Sequence, residues 1–136
     1  MSVEIRRCDA RVEIRLYAGV TNTLTTERLI SLRAAIEQVA QDAAGALLCG
    51  GEKFFSNGVD LEWAREQSSA EVRAIFLELG GCLLQLLESP VPIVGAATGH
   101  AMGGAMALLL ACDYRYGAVG RALIGKPEIL PGVPNP

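Results

Sequence analysis

The stretch Ile93 to Cys112, IVGAATGHAMGGAMALLLAC, runs without a formal charge, and Asp113 follows it directly. A segment this apolar has to be buried, either in a protein core or in lipid. Its glycines, Gly95, Gly99, Gly103 and Gly104, fall in the first half and its leucines in the second, with Pro90 and Pro92 just ahead. That layout predicts a buried strand, a glycine turn and a buried helix opening near Gly103. A helix that opens at a glycine pair offers bare N–H groups and a positive dipole end to any oxygen lodged there.

The stretch also reaches the length of a bilayer crossing, and Gly95, Gly99 and Gly103 form a G-x-x-x-G ladder. His100 in its middle, the helix-weakening glycines and the absence of a basic cluster at either end argue against a span. We read it as a buried core. The 136 residues are 51% hydrophobic and 20% charged, which fits one globular domain over 1–136. A net charge of -3 with no basic run leaves no footprint for nucleic acid. Cys8, Cys49, Cys82 and Cys112 form no C-x-x-C pair and His100 is the single histidine, which argues against a zinc site. The four read as buried, reduced thiols of a cytoplasmic protein. The opening MSVEIRRCDARVEIRL alternates charged and apolar residues and lacks the pattern of a signal peptide.

In chain order, Val3 and Ile5, then Val12, Ile14 and Leu16, keep a period of two around Asp9-Ala10, as two strands joined by a tight turn do. Thr25 or Thr26 caps a helix whose stripe of Leu29, Leu32, Ile36 and Val39 runs to about Asp42. Ala46 to Cys49 reads as a strand buried on both faces. A loop is expected through Ser56-Asn57-Gly58, then a short helix from Val59 or Asp60; Asn-Gly is equally the mark of an ordinary turn. Ser68 caps a long amphipathic helix carrying Val72, Ile75, Leu79, Leu83, Leu86 and Leu87 and ending near Ser89-Pro90. Tyr114 to Tyr116 and Ala122 to Ile124 are short strand candidates, and the tail GKPEILPGVPNP is too rich in proline for a long element. This order predicts an α/β fold with mostly parallel pairing. Both glycine turns fall at the carboxyl ends of strands, where open α/β folds bind ligands.

Three segments together go further than any single turn. They are KFFSNGVDLEW at 53–63, preceded by TNTL at 21–24; PVPIVGAATGHAMGGAMALLLACDYR at 90–115; and GKPEILPGVP at 125–134. In this order they resemble the crotonase (enoyl-CoA hydratase/isomerase) superfamily across essentially the whole chain. The resemblance implies an α/β fold of ββα units with a mostly parallel sheet, here the N-terminal part of the family fold, truncated at the C-terminus. It also implies an acyl-CoA substrate whose thioester carbonyl rests on the N–H groups of Val59 and Gly104. Each such donor is worth roughly 3–4 kcal/mol once charge develops on that oxygen. Ser56, Asn57, Gly58, Asp60 and Leu61 on the first loop and Gly103 on the second are the implied substrate neighbours. Asp60 reads equally well as a helix cap. Coenzyme A is then part of the substrate, and neither a separate cofactor nor a metal is implied.

Hydratases of this superfamily use two carboxylates, and the two positions correspond here to Ala107 and Glu128. An alanine side chain carries no proton, so the pairing that adds water is broken. One carboxylate beside an oxyanion hole resembles the Δ3,Δ2-enoyl-CoA isomerase branch, with Glu128 as the proton carrier. Taken without the resemblance, Glu128 is an ordinary solvated turn acid in a Pro-Glu dipeptide. His100 reads as a packed or loop-bracing residue, and Met102 and Met106 as core filler. Family members run longer than this chain and carry further helices that close the acyl pocket and pack subunits into trimers or hexamers, so a homo-oligomer is expected. The alternatives are a non-catalytic module that binds acyl-CoA or another subunit and, third because of Ala107, a hydratase.

Overall fold

The computed structural model describes residues 3–9, 11–120 and 122–126. The two alternating segments form β1 (Val3–Cys8) and β2 (Arg11–Leu16), an antiparallel pair with Ile5 opposite Ile14. Asp9 supplies a left-handed φ of 52° at their turn. Beyond them come α1 (Thr26–Asp42), β3 (Ala46–Cys49), β4 (Phe54–Ser56), α2 (Leu61–Glu66) and α3 (Ser69–Leu87). The remaining elements are β5 (Ile93–Ala97), β6 (His100–Met102), α4 (Gly104–Ala111), β7 (Tyr114–Gly117) and β8 (Ile124–Gly125).

The strands make two sheets. One has the order β1-β2-β3-β5-β7, parallel from β2 onward; the other is β4-β6-β8, parallel throughout. Each of β3, β5 and β7 in the large sheet is followed directly by one short strand of the small sheet. The mostly parallel α/β fold of ββα units read from the sequence is therefore the one that forms. The period-two signal does not reach β4 and β6, because three residues are too few to establish it; the loop expected at Ser56 begins one residue later.

The helices start where their caps lie. Thr25 Oγ1 accepts from the Arg28 N–H at 3.3 Å, and Ser68 and Glu71 close a capping box at the head of α3. Helix α1 buries Leu29, Leu32, Ile36 and Val39, and α3 buries Ile75, Leu79, Cys82 and Leu86. The two stripes pack on each other and, with Ile14, Leu48 and Phe55, form one core. Leu87, expected on the α3 stripe, is instead exposed at the helix end.

The uncharged stretch folds as β5, β6 and α4, all close-packed. A Cβ on Gly95 would stand 2.7 Å from Leu109 Cδ2, so helix and strand touch only because that side chain is missing. Asp113, the charge that ends the stretch, turns back to its start. Its carboxylate accepts from the Ile93 N–H at 2.8 Å and its own N–H donates to the Ile93 carbonyl at 2.9 Å. Among the described residues no helix is long and apolar enough to cross a membrane, and no cluster of side chains has the makings of a metal site.

All four cysteines are free, but only three are buried. Cys8 is exposed, contrary to expectation, because it ends the edge strand β1, whose later residues face solvent. Burial pushes the Cys82 and Cys112 thiols up to about 12. Both folded values lie above the ordinary 9.0, so their contribution to stability is complete below pH 9 and is lost as pH climbs toward 12. Denaturant midpoints should fall across that window. At pH 8 a maleimide is expected to add once to the native chain, at Cys8, and four times after unfolding, as read by intact mass.

Candidate active site

Two glycine turns meet at the carboxyl ends of β4 and β6. Gly58 has φ 76° and Gly103 φ 55°, both in the left-handed region that favours glycine. A Cβ built on Gly58 would lie 2.5 Å from the Met102 carbonyl oxygen and 3.2 Å from the Gly104 nitrogen. The two backbones are therefore in contact, and the residue after Gly58 and the one after Gly103 share a corner. Those residues are Val59 and Gly104. Gly104 is the first residue of α4, so its N–H has no acceptor within the helix, and the Gly103 cap makes no side-chain hydrogen bond there. Val59 bridges Leu24 through the Gly58 carbonyl, which accepts from the Leu24 N–H at 2.8 Å. Among the described residues neither the Val59 nor the Gly104 N–H is taken by a protein acceptor. Two fixed donors beside the positive end of an apolar helix suit an oxygen that gains negative charge.

The first turn is held from below by the segment at 21–24. The Asn57 N–H donates to the Thr21 carbonyl at 2.9 Å. Asn22 is buried, with φ 53°, and its side chain makes three hydrogen bonds. Its Nδ2 donates to the Leu16 carbonyl at 2.9 Å and to the Phe55 carbonyl at 3.0 Å, while its Oδ1 accepts from the Ala18 N–H at 2.7 Å. One side chain thus ties the end of β2 to the strand that carries the turn. Within TNTL no part for Asn22 is evident from sequence; the one signal is an asparagine, a residue that tolerates the left-handed region, beside a strand end.

The residues expected along the first loop divide by what their side chains do. Ser56 is fully buried, and its hydroxyl accepts from the Gly58 N–H at 3.0 Å, bracing the turn. Asp60 caps α2, its Oδ1 accepting from the Glu62 and Trp63 N–H groups at 3.0 Å each. Asn57 is exposed at the tip and Leu61 is half-buried at the head of α2. An open cleft of about 670 Å³ is lined by Tyr17, Thr25, Arg28 and Trp63 among others.

The second turn is held by Gly103, whose N–H donates to the Gly125 carbonyl at 2.9 Å. Beneath Gly104 stand Leu79, 3.0 Å from where its Cβ would be, and Leu24, at 3.5 Å. Ala107 is buried one turn into α4 and carries only a methyl group there. Met102 and Met106 are half-buried, not fully enclosed as core filler would be. Glu128 lies outside the described residues. Asn22→Ala should strip three partners at once and lower the unfolding free energy by about 3 kcal/mol, measured by urea titration; a loss below about 0.5 kcal/mol would contradict the tie described here.

Residues 10–136 match the sequence profile of the enoyl-CoA hydratase/isomerase family. Crotonyl-CoA hydratase of Syntrophomonas wolfei is 33% identical over 116 residues, covering 82% of this chain and 44% of that protein. Enoyl-CoA delta isomerase 3 of Arabidopsis thaliana is 29% identical over 116 residues, covering 81% of this chain and 49% of its own length. A probable enoyl-CoA hydratase of Mycobacterium tuberculosis superposes with a TM-score of 0.92 at 27% identity, covering 100% of this chain and 58% of that one. The chain spans about half the length of these relatives. Matched over residues 10–136, the chain belongs to the enoyl-CoA hydratase/isomerase family, the crotonase superfamily.

Proposed function

We propose that this chain forms the thioester-activating part of an enoyl-CoA isomerase that converts a 3-enoyl-CoA to the 2-enoyl-CoA. The observation that carries the reading is the corner of free Val59 and Gly104 N–H groups with Ala107 one turn away. The thioester oxygen accepts from both donors, while the backbone of Asn57, Gly58, Asp60 and Leu61 runs beside the bound substrate and Gly103 sets the floor of the second turn. Glu128 takes a proton from C2. The electron pair of the broken C2–H bond passes into a dienolate whose negative oxygen sits on the two N–H groups. Protonation at C4 by the same carboxyl then leaves the double bond between C2 and C3. Nothing beyond the CoA thioester is consumed, so the reaction requires no separate cofactor.

The bond from the Gly103 N–H to the Gly125 carbonyl supports a role for Glu128. It fixes the chain beside the glycine turn three residues before the carboxylate, and three residues of chain reach no farther than about 10 Å. Relatives carry both hydratase and isomerase names, and Ala107 favours isomerisation because a methyl group cannot activate water. We further propose that the working form is a homo-oligomer, since Leu77, Leu84 and Leu87 on α3 are each more than half exposed. The cytoplasm is the compartment that suits its free thiols.

Glu128→Gln is expected to lower conversion of a 3-enoyl-CoA by about 100-fold or more while a saturated acyl-CoA binds as before. Full activity in that variant would overturn the proton-carrier role. Binding without conversion by the folded wild-type protein would replace the isomerase with a non-catalytic acyl-CoA module.

A further inference from the structure

His100 opens β6, the middle strand of the small sheet. Its N–H donates to the Lys53 carbonyl at 2.9 Å, and its ring packs against Phe54 with centroids 5.1 Å apart at 58°. The ring also does something a strand backbone normally does. Its Nδ1 accepts from the Leu123 N–H at 3.0 Å. In the parallel ladder the Ala101 N–H donates to the Leu123 carbonyl at 3.0 Å, and the regular rung before it would join the Leu123 N–H to the carbonyl of residue 99. The imidazole takes that rung instead. To accept there, Nδ1 keeps its lone pair and the ring proton resides on Nε2.

The consequence lies downstream. Leu123 is gripped by its N–H on the ring and by its carbonyl on Ala101, and two residues later the Gly125 carbonyl takes the Gly103 N–H. Among the described residues between Ala118 and Leu123 few hydrogen bonds are made. Val119 is 99% exposed, and the Ala122 N–H reaches the Ala118 carbonyl only at 3.4 Å. β8 itself is two residues long. The His100 ring therefore holds the first of the rungs that join the start of β8 to β6.

We propose that His100 is a positioning residue for the proton transfer: its neutral imidazole sets the register of β8 and, through it, the approach of Glu128 to the substrate held at Val59 and Gly104. This rests on the isomerase reading and adds to it a residue that acts without touching the substrate. An error of about 1 Å in such an approach is enough to slow a reaction by about 100-fold.

The test combines variants at His100 and Glu128 in the full chain. Asn places its Oδ1 near the position of Nδ1 and keeps an acceptor; Ala removes it. With a 3-enoyl-CoA, His100→Ala should keep KM within about two-fold and lose about 10- to 100-fold in kcat, and His100→Asn should recover most of that loss. Amide exchange at Leu123 should quicken in His100→Ala and return toward wild type in His100→Asn. In a Glu128→Gln background, His100→Ala should reduce the residual rate no further. An unchanged kcat in His100→Ala beside a large loss in Glu128→Gln would overturn the positioning role and leave the isomerase reading standing. Equal further loss in the Glu128→Gln background would also overturn it, since His100 would then act independently of the carboxylate. Full activity in Glu128→Gln would instead remove the reading beneath both.

Discussion

The close approach of backbone to backbone in the small sheet is the constraint on which the rest depends. At three places a glycine lies where any side chain would collide with main chain. A Cβ on Gly50 would come within 2.2 Å of the Phe55 carbonyl oxygen, on Gly99 within 2.3 Å of the Lys53 carbonyl carbon, and on Gly58 within 2.5 Å of the Met102 oxygen. The chain around β4 and β6 can lie this close only because those side chains are absent. The large sheet and its two packed helices supply the frame. The glycine contacts turn that frame into a site, because they bring the N–H after Gly58 and the N–H after Gly103 into one corner.

That corner is rigid and electrically biased. Asn22 and Ser56, both buried and hydrogen-bonded, hold the first turn from beneath, and the Gly125 carbonyl holds the second. Helix α4 has no acidic residue in its first turn, so about half a positive charge at its head is left uncompensated. Leu24 and Leu79 wall the floor and exclude water from below. Donors fixed in such a setting need no rearrangement as charge develops on a thioester oxygen, which makes them worth more here than in water. In the reaction proposed for this chain the remaining chemistry is a proton moved over a short distance, and for that one carboxylate suffices.

Legibility in the sequence followed the length of each signal. Helices α1 and α3 announce themselves through caps at Thr25 and Ser68 and through stripes spaced three and four apart, and they form almost as read. The hairpin of β1 and β2 is equally plain from its period of two. Strands β4 and β6 are not, since three residues carry no period and their identity depends on neighbours 23 to 46 positions away. Asn22 was opaque for a related reason: one of its partners, Phe55, lies 33 residues on and touches it through backbone, which leaves no side-chain trace. Ser56 reads in sequence as a substrate neighbour, and in the structure its hydroxyl serves Gly58; an interior hydroxyl that braces a turn looks, in sequence, like one that faces a ligand. The pairing of Val59 with Gly104 came from resemblance, and the contact between Gly58 and Gly104 supplies its physical reason.

The most direct measurement is the infrared stretch of a ¹³C-labelled thioester carbonyl in an enoyl-CoA bound to the protein, compared with the same thioester in water and bound to Gly58→Ala. Two fixed donors aimed at that oxygen weaken the C=O bond, so the account predicts a shift to lower frequency in the wild-type complex that is largely lost in Gly58→Ala. A bound carbonyl that absorbs as it does in water, in protein shown to be folded, would contradict the claim that the Val59 and Gly104 N–H groups form an oxyanion hole.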